Sequence, residues 1–261
     1  MDTIRQPAVA GSFYPADMQT LKASVDELLR AAHTDTKAPR ALIAPHAGYI
    51  YSGPVAAAAY ACLSNRTTPF TRVVLLGPAH RVAFRGLAVS TAAAFVTPLG
   101  EIPLDRKSIS ELGALQQVHY LDEPHQSEHS LEVHLPFLQR ILADFCLIPL
   151  VVGEATAEEV SEVLETLWKT PDTLVVVSSD LSHYHSYEAA TRMDRETSEH
   201  IEKLEYESIG YEHACGRTPV SGLLYYAKSH GMKVTTLDLR NSGDTAGPRD
   251  RVVGYGAYLV S

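Results

Sequence analysis

Histidines stand directly behind three apolar segments of the sequence. His46 follows "ALIAP", His80 follows "RVVLLGPA" and His183 follows "TLVVVSSDLS". Neutral imidazole is a ligand for iron, zinc and copper, and two imidazoles leave room for a third protein ligand. His46 and His80, each close behind a proline, are therefore candidate metal ligands. A structural histidine that forms a hydrogen bond in a turn is the alternative for each of them.

The segment "SSDLSH" places a carboxylate and an imidazole three residues apart, at Asp180 and His183. Such groups can orient one another, which is what a general base requires. We therefore predict that His183 is the catalytic acid or base and that Asp180 orients it. The alternative is that Asp180 caps the following helix, because Asp is common at that position.

The segment 125–139, "HQSEHSLEVHLPFLQ", is the part of the chain densest in histidine. His129 and His134 are five residues apart, about 140° around a helix, so they do not share the face of a zinc-binding His-Glu-x-x-His helix. Pro136 indicates that the regular helix begins near it. The bent segment before it can point Glu128 or His129 into a pocket as substrate contacts. Surface carboxylates and one core histidine are the alternative.

Cys215 differs from the other two cysteines because it lies in "HACGRTPVSG", beside Arg217 and just before a predicted helix. A helix N-terminus and an arginine both favour a thiolate, which is a nucleophile or a soft metal ligand. Arg217 is in turn a candidate contact for an anionic ligand. A packed thiol in a turn is the alternative. Three widely spaced cysteines, an odd number, fit a reducing compartment and not a disulfide framework.

Buried strands alternate with amphipathic helices along the chain, which predicts an α/β fold with a mixed, largely parallel sheet flanked by helices. The predicted strands are 41–45, 72–77, 86–90, 145–152, 173–179, 233–239 and 252–260. The predicted helices are 17–32, 54–63, 105–115, 129–142, 156–169, 186–204 and 219–229. Asp17 is a candidate cap, and Pro54 and Pro219 suit first helical turns. With no linker in the sequence, we predict a single domain over 1–261.

That architecture gives the histidines a common location. Ligands of open α/β sheets bind outside the carboxyl ends of the strands, and His46, His80 and His183 all follow such ends. If the three strands are parallel neighbours, their side chains converge on one crevice. The sequence does not establish that they are neighbours.

Composition excludes several classes of function. The net charge of −9 disfavours nucleic acid as a partner. No apolar stretch approaches the ~20 residues of a membrane span, and the first residues do not form a signal peptide, so we expect a cytoplasmic protein. The dinucleotide-binding, Walker and nucleophile-elbow motifs are absent from the sequence.

The chain resembles the Memo family, whose prokaryotic members are called AmmeMemoRadiSam system protein B. The resemblance rests on "PAVAGSFYPAD", "APHAGYIYSGPVAAAAY", "LLGPAHR", "EHSLEVHLPFLQ", "SSDLSHY", "CGRTP" and "NSGDT" followed by "VVGYGAY". These motifs extend over essentially the whole chain, in order. Memo proteins are similar in fold to class III extradiol dioxygenases of the protocatechuate type, so the resemblance implies a central mixed sheet in one α/β domain.

The resemblance also implies roles for individual residues. Class III enzymes bind Fe(II) with two histidines and a glutamate, and the two histidines match His46 and His80. The acid/base histidine matches His183, and a pocket histidine matches His129. Cys215 occupies the position of the glutamate. A thiolate is softer than a carboxylate and can be oxidised, so iron is the favoured metal, copper or zinc also fit, and ring cleavage does not follow.

Two functions follow from this resemblance. One is a metal-dependent, dioxygenase-like oxidoreductase or redox-modification enzyme that acts on a small molecule or a peptide. The other is a binding module that recognises a phosphorylated or anionic peptide in the same pocket. The prokaryotic family name further implies AMMECR-type and radical-SAM proteins as partners.

Overall fold

A computed structural model of the chain describes residues 3–32 and 34–261. Within them lie twelve strands and eight α-helices. The strands are β1 (Ile4–Arg5), β2 (Ala41–Ala44), β3 (Arg72–Pro78), β4 (Leu87–Val89), β5 (Ala94–Thr97), β6 (Gly100–Pro103), β7 (Val118–Tyr120), β8 (Cys146–Val152), β9 (Thr173–Ser178), β10 (His183–His185), β11 (Val234–Asn241) and β12 (Val252–Val260). The α-helices are α1 (Met18–Ala31), α2 (Tyr49–Ala61), α3 (Arg106–Glu111), α4 (Glu123–Gln126), α5 (Leu135–Ile141), α6 (Ala157–Leu167), α7 (Tyr187–Glu202) and α8 (Arg217–Ser229).

The main sheet contains nine strands of the described residues, in the order β10-β12-β2-β9-β3-β8-β4-β7, with β11 paired to β12. Its centre is parallel, because β2, β9, β3 and β8 all run in one direction. The strand β12 is antiparallel to β2, and β4 is antiparallel to β8. A separate sheet has the order β1-β5-β6. The predicted α/β class with a mixed, largely parallel sheet is confirmed.

The central strands are buried on both faces, which explains their continuous apolar sequences. Every residue of β2 and β9 is buried, as are all residues of β3 and β8 after the first. Helices flank the sheet in two groups: α2 packs on β2 and β12 beside α1 and α5, while α8 packs on β3 and β9 beside α6. None of the helices in the described residues is long and apolar enough to cross a membrane.

All seven predicted strands are present, but five short strands were missed: β1, β5, β6, β7 and β10. Each has two to four residues, too few to carry a periodic pattern, and all but β6, which forms a hairpin with β5, pair with a strand distant in sequence. The β10 strand lies directly before the helix predicted over 186–204. Pairing with β12 holds His183 and His185 at the edge of the sheet, with an irregularity between them.

Helix starts were predicted with mixed success. Asp17 caps α1 through its side chain, and Pro219 lies in the first turn of α8, as predicted. Pro54 does not begin a helix, because the N–H groups of Tyr51 and Ser52 already donate to the Gly48 carbonyl one turn earlier. The predicted helix 105–115 is shorter, since α3 ends at Glu111 and a 3₁₀ turn follows over 112–114.

Candidate metal centre

Parallel neighbouring strands bring the predicted site residues together. His46 follows β2, Asp180 follows β9 and His80 follows β3, and these strands are adjacent in the sheet. Their carboxyl ends therefore meet at one edge, as the strand-end rule requires. The ring centroids of His46 and His80 are 5.2 Å apart. The predicted convergence of the histidines is confirmed.

Three potential ligand atoms meet at this edge of the sheet. One atom each of His46, His80 and Cys215 lies within 4.8 Å of the other two. The distance from His46 Nε2 to Cys215 Sγ is 3.4 Å. Metal–nitrogen and metal–sulfur bonds of about 2.0 and 2.3 Å at a tetrahedral angle place the two donors about 3.5 Å apart. The His46–Cys215 pair therefore already has the spacing of two ligands of one metal ion, and His80 completes the group within 4.8 Å.

The Ser178 hydrogen bond leaves His46 Nε2 with its lone pair, and the Cys215 thiol contacts that atom at 3.4 Å. Ser178 Oγ donates to the carbonyl of Ser130 at 2.6 Å and lies 2.6 Å from His46 Nδ1. The serine hydroxyl has one proton and has already used it, so it must accept from Nδ1–H. His46 is buried, and burial and the neighbouring histidines hold its pKa well below the usual range. A neutral imidazole with a free Nε2 is the form that binds a metal.

His80 is oriented in the same way by Glu128. The Glu128 carboxylate accepts from His80 Nδ1–H at 2.9 Å and from the His80 backbone N–H at 2.6 Å. Burial opposes ionisation of Glu128, but these bonds outweigh it and lower the pKa of the carboxyl to about 2. A carboxylate behind a metal-binding histidine fixes its tautomer and strengthens it as a ligand. His80 Nε2 is thus free on the side away from Glu128.

This arrangement corrects the role predicted for Glu128. It does not line the main cavity, and its oxygens accept from the backbone N–H groups of His129 and Ser130 as well as from His80. A carboxylate with four donors has little capacity left for a substrate. We therefore assign it a positioning role, while His129, its predicted companion, does line the cavity.

Cys215 lies just before α8, where a close backbone contact holds it against the sheet. A side-chain carbon on Gly216 would approach the Ser178 carbonyl to 2.4 Å, so only glycine fits there. The Cys215 N–H donates to the carbonyl of Asp180 at 3.3 Å. Burial and the Asp180 charge raise the pKa of the Cys215 thiol to about 12. Our expectation of a stabilised thiolate was wrong, because burial outweighs the helix terminus.

Arg217 also departs from its predicted role as a contact for substrate. It does not line the main cavity. Its guanidinium lies 3.5 Å from the centre of the Tyr211 ring, a cation–π contact on the other side of Cys215. The first turn of α8 turns Arg217 away from the histidines.

Asp180 and His183 do not orient one another. The Asp180 carboxylate accepts from the His46 backbone N–H at 2.8 Å, and burial raises its pKa to about 7. His183 Nδ1 is 2.8 Å from the Leu181 carbonyl, which can only accept, so this bond orients the ring and frees Nε2. Asp180 therefore positions the loop that carries His46. The predicted pairing fails because a main-chain carbonyl two residues away reaches the imidazole.

His183 and His129 line a cavity of about 640 Å³ together with His46 and His80. The His129 ring stacks on His80 at 4.8 Å and contacts the Phe13 ring at the same distance. Burial, more than any charge nearby, lowers the pKa of His129 to about 4 and that of His183 below its ordinary value. Burial therefore favours the neutral form of the His129 and His183 imidazoles.

Arg81, Arg251 and Tyr184 line the same cavity and were missed by sequence reasoning. Tyr184 has φ of 62°, a left-handed conformation that is uncommon for an aromatic residue. The guanidinium of Arg251 lies 5.2 Å from its ring centre. Of these three residues, only Arg81 could have been found from the sequence, because it directly follows His80. The other two reach the cavity because β10 pairs with β12.

Comparisons with known proteins agree with the motifs. The Memo-like protein family model matches residues 5–259. A MEMO1 family protein of Saccharolobus islandicus strain M.14.25 is 36% identical over 277 aligned positions, covering 96% of this chain and 97% of that protein. One from Sulfolobus acidocaldarius is 35% identical and covers 97% of both. The crystal structure of an uncharacterized protein from Escherichia coli K12 matches 84% of this chain and 98% of its own, with TM-score 0.53 and 14% identity, which shows a shared fold alone.

Proposed function

The chain belongs to the Memo-like protein family, and we propose that it uses a divalent metal held by His46, His80 and Cys215 in a redox reaction. The observation that carries the proposal is the convergence of these three donors, with the Nε2 atoms of both imidazoles freed by Ser178 and Glu128.

Iron(II) is the metal we favour, and copper or zinc also fit the donor set. Two imidazoles and one thiolate match the preferences of all three ions, and a site with three protein ligands keeps open positions. When bound, such an ion would bring reactants together and redistribute charge between them. The thiolate makes this centre softer than one with two histidines and a carboxylate.

The residues around the trio have separate tasks in this proposal. His183, with Nε2 free, exchanges a proton with the substrate as general acid or base. His129 donates or accepts a hydrogen bond across the cavity from a position fixed by stacking on His80. Glu128, Ser178 and Asp180 hold the ligands in place and do not touch substrate.

Metal analysis of protein purified without oxygen tests this proposal. We expect nearly one equivalent of metal per chain in the parent protein and loss of most of it in His80→Ala. His119→Ala is the matched control, because His119 lies in β7 outside the trio and should leave the metal content unchanged. Parent protein without metal under reducing, iron-replete conditions would contradict the proposal.

A second candidate function is recognition of an anionic group, such as that of a phosphorylated peptide. The observation that favours it is the placement of Arg81 and Arg251 on the wall of the same cavity. Titration with phosphorylated and unphosphorylated peptides, with and without a chelator, separates the two functions. Affinity that requires the phosphate and survives the chelator favours binding without a metal.

A further inference from the structure

A second cavity of about 520 Å³ lies between the carboxyl ends of β3 and β8. Its walls come from the residues that follow these two strands and from the start of α8. Cys215 lines this cavity, whereas His46 and His80 line the main one. The proposed metal ligands therefore form the partition between two separate cavities. None of the functions proposed above uses the second cavity.

Two unpaired side chains of opposite charge belong to this cavity. Arg85 and Glu154 are partners in a parallel β-bridge, and flanking backbone bonds at 2.7 and 2.9 Å hold their segments together. The side chains of bridge partners project to the same side of a sheet, so the Arg85 and Glu154 side chains leave the backbone at adjacent positions. Across residues 3–32 and 34–261, neither side chain forms an ion pair or a hydrogen bond.

Apolar side chains form much of the rest of the lining, which also includes Tyr211, Cys215 and Thr218. Val82 and Phe84 come from the segment after β3, Val152 ends β8, and Pro219 lies in the first turn of α8. A ligand that complements this surface carries one positive and one negative group close together, beside an apolar body. Free α-amino acids with apolar side chains have this chemistry.

We propose that the second cavity binds a free α-amino acid with an apolar side chain. Its carboxylate meets the Arg85 guanidinium, its ammonium meets the Glu154 carboxylate, and its side chain packs on Val82 and Phe84. A bidentate arginine–carboxylate contact supplies orientation as well as affinity. The bound molecule then lies against Cys215, on the opposite side of the partition from the imidazoles. This site does not depend on a metal, so its test is independent of the test of the redox proposal.

Calorimetric titration of the full chain, treated with a chelator, tests the site. The ligands are L-phenylalanine, L-methionine and L-leucine, each beside its amide, which lacks the carboxylate, and its N-acetyl derivative, which lacks the ammonium. We expect at least one amino acid to bind with Kd below about 10 mM. We expect Arg85→Ala and Glu154→Ala each to weaken that binding about tenfold, the loss expected for one charged contact.

The amide and the N-acetyl derivative show which charged group of the amino acid contacts Arg85 and which contacts Glu154. The amide should bind Arg85→Ala and the parent protein equally, and the N-acetyl derivative should not distinguish Glu154→Ala from the parent. Arg81→Ala, which removes an arginine from the main cavity, is the control and should leave amino-acid binding unchanged. Absence of binding by all three amino acids, or binding that neither Arg85→Ala nor Glu154→Ala weakens, would overturn the proposal.

Discussion

Glu128→Gln is the substitution that separates a positioning role from a role in binding substrate. The carboxylate is 2% exposed and accepts from His80 Nδ1–H, the His80 backbone N–H and two further backbone N–H groups. A glutamine keeps the shape but replaces one acceptor oxygen with an NH2 group that faces a donor. One or more buried donors then lose their partner.

The expected loss of stability follows from the pKa of the carboxyl. Hydrogen bonds from His80, acting against burial, lower it from 4.5 to about 2. A lowering of this size corresponds to about 3 kcal/mol in favour of the folded, ionised state. Because the folded-state pKa is depressed, this stabilisation is present above about pH 4.5 and is lost as the pH falls towards 2. At pH 7, Glu128→Gln should therefore lower the free energy of unfolding by about 3 kcal/mol.

The same substitution should weaken metal binding, because His80 loses the acceptor that fixes its Nδ1–H tautomer. Replacing such a carboxylate typically costs about 10- to 100-fold in metal affinity. Competition titration with a chromophoric chelator measures the affinity, and urea denaturation measures the stability. Both are compared with the parent protein at pH 7.

Glu132→Gln is the matched control. Glu132 is also buried and forms an ion pair with Arg5, which in turn donates to the backbone carbonyl of Glu128. Its carboxylate also accepts from the Tyr14 hydroxyl at 2.6 Å and from the Ala8 and Val9 N–H groups, but it does not contact His80. It should destabilise the protein while changing metal affinity less than about threefold, within the scatter expected for independent sites. Equal metal affinity in Glu128→Gln and the parent protein would refute the positioning role of Glu128.

Three further outcomes are expected. Ser178→Ala removes the acceptor for His46 Nδ1–H and should weaken metal binding about tenfold in the same competition titration; unchanged affinity would contradict the assigned tautomer. Because burial and Asp180 raise the Cys215 thiol pKa to about 12, a metal that binds the thiolate must release a proton. The apparent affinity for the metal should therefore rise about tenfold from about pH 7 to about pH 8. A metal affinity that does not change with pH argues against a thiolate ligand. Gly216→Ala places a carbon 2.4 Å from the Ser178 carbonyl and should lower the free energy of unfolding, measured by urea denaturation, by about 1–3 kcal/mol. The same substitution should displace Cys215 and weaken metal binding. A stability and a metal affinity equal to those of the parent protein would contradict the close contact.

Much of the site could be predicted from the sequence because strand ends are local features. The buried strands β2, β3 and β9 are continuous apolar segments, and each is followed within a few residues by a polar side chain that lies at the sheet edge. The strand order was not predictable, because it depends on which strands pair across more than a hundred residues. Pairing of β2 with β9, and of β9 with β3, is what brings His46 and His80 together.

The details that failed depend on competition between nearby groups. Asp180 and His183 have suitable spacing for a pair, but the Leu181 carbonyl and the His46 N–H are better placed partners. Local charge predicted a thiolate at Cys215, yet burial is set by the packing of α8 on the sheet. Arg251 and Tyr184 reach the cavity only through the antiparallel pairing of β10 with β12, which leaves no short-range pattern.

X-ray absorption spectroscopy at the edge of the bound metal tests the central claim that two imidazoles and one thiol share a single ion. The protein is loaded with one equivalent of Fe(II) without oxygen and compared with Cys215→Ser. We expect one sulfur at about 2.3 Å and imidazole nitrogens near 2.1 Å in the parent protein, with the sulfur lost in the variant. A first coordination shell of nitrogen and oxygen alone in the parent protein would contradict the claim.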